Sequence, residues 1–121
     1  TGTHDNDTLA GWEKSASPED VLLAKRYIRC SESEGFCWAM IKTAMASVAD
    51  TVIIPIQDYI GAGSEARINI PSTPSGNWQW RIDGGCLNEW LADMIYETSK
   101  LYHRVPKKND TEVRCDSQKL S

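Results

Sequence analysis

The sequence predicts an α/β fold in which a parallel strand is buried among helices, and the strand belongs to a sheet larger than this chain alone could build. Three observations predict it. TVIIPI, residues 51–56, is a short, apolar, β-branched run without alternation, the pattern of a strand covered on both faces. Three segments with helical spacing of apolar residues surround it. A long connection rich in Gly, Ser, Pro and Asn, residues 57–85, leaves its C-terminal end. One or two strands with three helices make a poor independent core, and parallel strands normally sit in larger sheets. The expectation is therefore a piece of an α/β fold.

The elements follow in chain order. TGTHDNDTLAGW, residues 1–12, reads as a strand end or loop. Ser15 to Asp20 is a helix start, with Ser17 as N-cap, Pro18 at the first helical position and two acids in the first turn. That helix carries Val21, Ala24, Tyr27 and Ile28 on one side until SESEG, residues 31–35, breaks it. A second helix is expected from Phe36 to Ala49, with Trp38, Ile41, Met45 and Val48 on one stripe and Lys42 as its single charge. A helix so apolar must be largely buried. Pro55 should sit near the end of the strand, because it lacks a ladder donor. Within the long connection, Ser64–Arg67 suggests one short turn. A third helix is expected over about 86–102, with Leu87, Trp90, Leu91, Met94, Ile95 and Leu101 at helical spacing. Residues 1–105 thus form the structured unit, and 106–121, without periodicity, are expected to be a mobile tail.

Composition excludes several classes. The chain has 121 residues, is 40% hydrophobic and 25% charged, and carries a formal net charge of −4. It is globular in composition. It has no electrostatic footprint for nucleic acid or for an anionic membrane. Phe36–Ala49 is too short to span a bilayer and is broken by Lys42. No basic segment followed by an apolar one marks a secretory signal at the start. Cys30, Cys37, Cys86 and Cys115 include no pair with C-x-x-C spacing, so a zinc or redox motif is not expected. Cys37 and Cys86 fall in apolar helical patterns and are expected as buried free thiols.

Taken alone, HDND admits three readings: a solvated turn, a metal cluster or part of an active site. Asp and Asn favour turns because their side chains bond the local backbone. Adjacent residues point in different directions, and the chain is poor in His, which weighs against a metal. His103 sits at a helix end and reads as a dipole partner. Position favours the active site, since parallel α/β folds place catalytic groups at the C-terminal ends of strands. The loop 57–85 should flank Asp5 on that same face. It carries Gln57, Asp58, Tyr59, Glu65, Arg67, Asn69, Asn77, Trp78, Gln79 and Trp80. Amides, carboxylates and aromatic rings together suit hydroxyl-rich ligands such as sugars. For Trp78 and Trp80, core packing is an equal alternative. For Glu65 and Arg67, a local ion pair is the simpler reading.

Three stretches, TGTHDNDTLAGW, ASVADTVIIPIQDYIGAGSEARINIP and GNWQWR, occur in this order and closely resemble the C-terminal part of the 4-α-glucanotransferases, also called amylomaltases or disproportionating enzymes. The resemblance covers about residues 1–103. It implies the C-terminal portion of a (β/α)8 barrel, with Thr1–Asp7 at the end of strand 7 and Thr51–Ile56 as strand 8. It implies transfer of α-1,4-glucan segments between maltooligosaccharide or starch-derived chains, with retention of configuration and without a cofactor or metal. The partners are then a glucan donor and a glucan acceptor.

The aspartate of the family's HDN motif, one of three essential carboxylates, corresponds to Asp5. His4 and Asn69, the latter from the A-R-x-N motif, correspond to substrate-binding positions. Retaining transfer needs a carboxylate nucleophile and an acid/base about 5–5.5 Å apart. The third carboxylate holds sugar hydroxyls and favours the oxocarbenium-like ring. Asp5 is expected in that third role. His4 would donate to a neighbouring hydroxyl, and Asn69 would orient the sugar from the other side. Asn6 and Asp7 would shape the loop.

The family's nucleophile and acid/base belong to earlier strands, so the chain is expected to be a fragment, inactive in isolation. Asp58 and Glu65 match other family positions. Ser72 stands where the family often has glycine. The compartment is expected to be plastidic or cytoplasmic. The alternatives are a non-catalytic glucan-binding piece and an amylase-like hydrolase.

Overall fold

The computed structural model describes residues 1–106. The expected tail falls, but for Pro106, outside the described residues. Among the described residues five α-helices follow one another: α1 Leu9–Ser15, α2 Pro18–Tyr27, α3 Phe36–Met45, α4 Ile56–Tyr59 and α5 Glu89–Leu101. Single 3-10 turns lie at Ser64–Ala66 and Gly84–Cys86.

Local chemistry sets most boundaries. Thr8 caps α1 by accepting from the Gly11 N–H, and Ser17 caps α2 by accepting from the Asp20 N–H, with Pro18 at its first position. Helix α1 was not legible as a helix, although a threonine cap ahead of Leu9 and Trp12 was available as a signal. At the end of α2, Arg29 adopts φ +52°. Its N–H donates to the Arg26 carbonyl, and the Cys30 N–H donates to the Lys25 carbonyl. This pair of bonds is a Schellman closure built without glycine. Helix α5 ends in the same way at His103, φ +56°, with the Arg104 N–H reaching the Ser99 carbonyl at 2.8 Å. His103 therefore serves as the left-handed residue of that closure. Gly35 precedes α3 at φ +81°, where a side chain would be strained.

The core is small: Leu9, Phe36, Ala39, Ile41, Met45, Ala66 and Leu91 are its buried apolar residues. Helix α3 packs against α1 and α4, with Ile41 fully enclosed and Trp12 stacked on Phe36 at 5.7 Å. It is shorter than expected, ending at Met45, so Val48 lies past its end and is fully exposed. Arg104 explains how that end is held. Its guanidinium donates to the carbonyls of Met45, Ser47 and Ala49 at 2.8, 3.1 and 2.9 Å, which satisfies groups a helix end leaves unpaired. Helix α5 also starts later than expected, after the Asn88 cap. Trp90 and Leu101 of its predicted apolar stripe are exposed.

The predicted strand is the main difference between expectation and structure. Among the described residues no strand is formed. Residues 51–55 are without regular structure, Ile56 opens α4, and Ile53 is 72% exposed. A strand is defined by its ladder, and one bond does not make a ladder. The bond present is from the Thr1 ammonium to the Ile53 carbonyl, 2.7 Å, and it lays the opening segment beside residues 51–55. The helical half of the α/β expectation is observed. The sheet half finds no hydrogen-bonding neighbours among the described residues.

Cys30, Cys37 and Cys86 are free and half-buried, less enclosed than expected for the latter two. Cys37, Trp38, Tyr59, Cys86 and Trp90 line a cleft of about 350 Å³ between α3, α4 and the start of α5. Burial, reinforced by the Asp58 carboxylate, pushes the Cys37 thiol up to about 11, and burial likewise raises the Tyr59 hydroxyl. The fold holds the proton on Cys37. This contribution to stability is fully present below about pH 9 and is lost as pH rises through about 11. Iodoacetamide should accordingly alkylate Cys37 at pH 8 at least about tenfold more slowly in the folded protein than in urea, as followed by peptide mass spectrometry. Equal rates would show that the thiol is not shielded.

Candidate active site

The opening loop is shaped by its own side chains. The Asn6 side-chain oxygen accepts from the Thr3 N–H at 2.7 Å and from the Thr3 hydroxyl at 3.0 Å, closing a tight turn that holds His4 and Asp5 at its tip. Asp7 accepts from the Thr8 N–H at 2.8 Å and from the Ser64 hydroxyl at 2.7 Å. This second bond ties the loop to the 3-10 turn at Ser64–Ala66. It passes over Gly11, where a Cβ would lie 2.4 Å from the Ser64 hydroxyl and 2.5 Å from the Asp7 carboxylate. Gly11 is needed there for close approach, not for its backbone freedom.

Asp58 anchors the loop from below. It is buried, accepts from the Leu9 N–H at 2.9 Å and also accepts from the Thr1 hydroxyl. Gln57, also buried, donates to the Ala66 carbonyl at 3.2 Å. These two residues of the long connection are structural. They join the start of α1, the opening loop and the turn at 64–66.

Residues 67–69 then run alongside the HDND tip. The Asn69 N–H donates to the His4 carbonyl at 3.1 Å, and the Asn69 amide donates to the Asp5 carboxylate at 2.7 Å. The His4 imidazole lies 3.3 Å from that same carboxylate oxygen. All three residues singled out in the sequence thus meet at one point, although Asn69 is 64 positions from Asp5. The Asn69 amide is turned onto Asp5 itself, not across from it. Asp5 and His4 keep about half of their side-chain surface open, so one face of the carboxylate stays available to a ligand.

Arg67 was missed. It makes no ion pair with Glu65 among the described residues. Glu65 instead accepts from the Gly63 N–H at 2.8 Å. The Arg67 guanidinium donates to two main-chain carbonyls, that of Asp5 at 2.7 Å and that of Asn69 at 3.0 Å. It stitches together the two segments that carry the cluster. The signal was present in the A-R-x-N spacing, since residues two apart in an extended segment share a side. Of the two tryptophans, Trp78 stands at the cluster with its ring 5.0 Å from His4. A cleft of about 380 Å³ lies beside these residues, bordered by His4, Asn6, Asp7, Gln57 and Arg67, while Asp5 and Asn69 stand outside its lining. Ser72 has φ +65°, a left-handed conformation that glycine adopts without strain. The departure at this position leaves a serine in that conformation. Among the described residues no group of three His, Cys, Asp or Glu side chains is placed to hold a metal ion, and no helix is long and apolar enough to cross a membrane.

The family profile described as 4-alpha-glucanotransferase matches residues 1–88, a span that includes His4, Asp5, Arg67, Asn69 and Trp78. The chain belongs to the 4-alpha-glucanotransferase family. The 4-alpha-glucanotransferase of Synechocystis is 43% identical over 104 residues, covering 86% of this chain and 21% of that relative. That of Clostridium butyricum is 44% identical over 105 residues, covering 86% of this chain and 22% of the relative. The chloroplastic/amyloplastic 4-alpha-glucanotransferase of Arabidopsis thaliana is 39% identical over 108 residues, covering 87% and 19%. An amylomaltase from Streptococcus agalactiae, solved in complex with acarbose, superposes with a TM-score of 0.84 at 32% identity, over 88% of this chain and 21% of that one. The chain therefore spans about one fifth of the length of the 4-alpha-glucanotransferases it matches.

Proposed function

We propose that the protein is a 4-α-glucanotransferase that moves α-1,4-glucan segments from a maltooligosaccharide or starch-derived donor to a glucan acceptor, and that Asp5 stabilises the transition state of that transfer. The observation that supports this best is the meeting of His4, Asp5 and Asn69 at one exposed point in a chain of this family. The proposal includes the architecture: residues 1–105 would be the C-terminal part of a (β/α)8 barrel, with Thr1–Asp7 at the end of strand 7 and Thr51–Ile56 at strand 8. The exposed Ile53 and the lone bond between those segments fit a sheet whose other strands lie elsewhere in the barrel.

Transfer with retention proceeds by two displacements. In the first, a carboxylate attacks the anomeric carbon of the donor. The glycosidic C–O bond breaks, and an acid/base gives its proton to the departing oxygen. In the second, the 4-hydroxyl of an acceptor attacks the same carbon. Its proton returns to the acid/base, and the nucleophilic carboxylate is released. Asp5 would do neither of these things. Its free carboxylate face would accept hydrogen bonds from hydroxyls of the reacting glucose unit. Those bonds strengthen as positive charge develops on the ring, so they lower the barrier instead of merely tightening binding. Asn69 and His4 flank the carboxylate and fix its orientation, and the His4 ring can present a donor to an adjacent hydroxyl. The plant relatives are chloroplastic or amyloplastic by name, and we place this protein in the plastid stroma or the cytoplasm.

Maltotriose tests the reading. The complete protein should convert it into glucose together with maltooligosaccharides longer than three units, without net formation of reducing ends. Products no longer than the starting trimer, with reducing ends accumulating, would identify a hydrolase and overturn the transferase assignment.

A further inference from the structure

Trp78 is placed in a way that the packing of this chain does not explain. It is 59% exposed, although it is one of the largest side chains present. Its backbone is left-handed, φ +62°, a conformation that a bulky residue adopts at a cost. The surrounding loop enforces it. The Trp78 N–H donates to the Ile68 carbonyl at 2.8 Å, which closes the loop 68–78 directly after Arg67. Inside the loop, the Asn77 side chain accepts from the Ile70 N–H at 2.8 Å and donates to the Thr73 hydroxyl at 2.9 Å. The Thr73 hydroxyl donates in turn to the Ile70 carbonyl at 2.6 Å. These bonds present the indole beside His4, at 5.0 Å and with the ring planes tilted by 40°. A strained backbone that sets an aromatic ring directly against His4 is what points to function at Trp78.

We propose that Trp78 is a sugar-binding residue, whose indole stacks against the apolar face of a glucose unit neighbouring the one held at Asp5. This rests on the functional reading above. A pyranose ring has two chemically different surfaces, an apolar face of C–H groups and an equatorial belt of hydroxyls. Around Trp78 the structure supplies a partner for each. The indole offers a wide, rigid, apolar surface at little cost in side-chain entropy. Asp5, His4 and Asn69 beside it offer hydrogen-bonding groups for the hydroxyls. The same contact orders His4, so the ring would both bind one sugar and steady the imidazole that meets the next.

The test uses acarbose binding by the complete protein, measured calorimetrically. Trp78→Gly removes the indole at a position whose backbone suits glycine, so its melting temperature should not fall. Its affinity for acarbose should fall about tenfold or more, whereas Trp78→Phe, which keeps an aromatic face, should stay within about threefold. A glycine variant that binds acarbose within about twofold of the parent overturns the proposal. A second measurement does not depend on any variant folding: bound acarbose should protect Trp78 of the parent protein from oxidation by N-bromosuccinimide, located by peptide mass spectrometry. Unprotected oxidation overturns it equally. The maltotriose assay reports separately on the reaction. A parent that transfers glucan while the glycine variant binds normally sinks the Trp78 assignment alone. A parent that binds acarbose through Trp78 but transfers nothing sinks the transferase reading alone.

Discussion

Asp5→Asn should lower glucan-transfer turnover by about 10²–10³-fold with little change in KM and none in melting temperature. The substitution keeps the shape of the side chain and leaves an oxygen to accept from the Asn69 amide, now at 2.7 Å from the carboxylate. It removes the negative charge. A charge that matters mainly when the ring becomes oxocarbenium-like contributes to kcat and little to ground-state binding, so kcat and kcat/KM should fall together. Stability should hold because Asp5 lies at an exposed loop tip, outside the apolar core. Steady-state kinetics on maltotriose with the complete protein provide the check. Near-normal turnover would remove Asp5 from the mechanism, and a large rise in KM alone would recast it as a simple binding residue.

Arg67→Ala carries the second large effect. Its side chain links the Asp5 and Asn69 carbonyls, so losing it frees the two segments that hold the cluster to move against each other. A displacement of about 1 Å at a reacting group can cost about 10²-fold in rate, and the loss should appear in kcat more than in KM. Arg67→Lys should recover only part of it, because a point-like ammonium cannot hold two carbonyls in the fork geometry of a guanidinium. Added guanidinium ion should partly rescue the alanine variant. Rescue separates a positioning role from a general loss of fold, which no small cation restores. An alanine variant with full turnover would show that the hydrogen bonds between Asn69 and the opening loop suffice by themselves.

Legibility in the sequence followed the range of the forces involved. The start of α2 was readable because Ser17, Pro18, Glu19 and Asp20 act on their own neighbours. The apolar stripe of α3 was readable because Ile41 and Met45 must be buried somewhere. Helix ends were less so. Arg29 and His103 close helices in left-handed conformations that their residue type does not advertise. The strand is not formed among the described residues for a different reason. TVIIPI has the composition of a buried strand, but a ladder needs hydrogen-bonding neighbours, and the bond from Thr1 to Ile53 is an isolated one. In the site, His4, Asp5 and Asn69 are marked by motif resemblance, whereas the expected local ion pair of Arg67 with Glu65 gives way to bonds from Arg67 to two main-chain carbonyls. Folding brings the Asp5 carbonyl closer to use than the carboxylate two residues away.

By itself the sequence determined the family, the presence of helices α2, α3 and α5 with the Ser17 cap of α2, and the residue types available for sugar chemistry, since these depend on local pattern and side-chain identity. Only the tertiary structure decided how they are used: that Asn69 bonds Asp5, that Arg67 clamps both segments, that Asp58 is an anchor and that Trp78 faces outward. The physical reason is distance along the chain. A cap acts within about one helical turn, whereas these contacts join the opening loop to residues some fifty to seventy-five positions away, and a hydrogen bond of that span exists only once the fold has closed it.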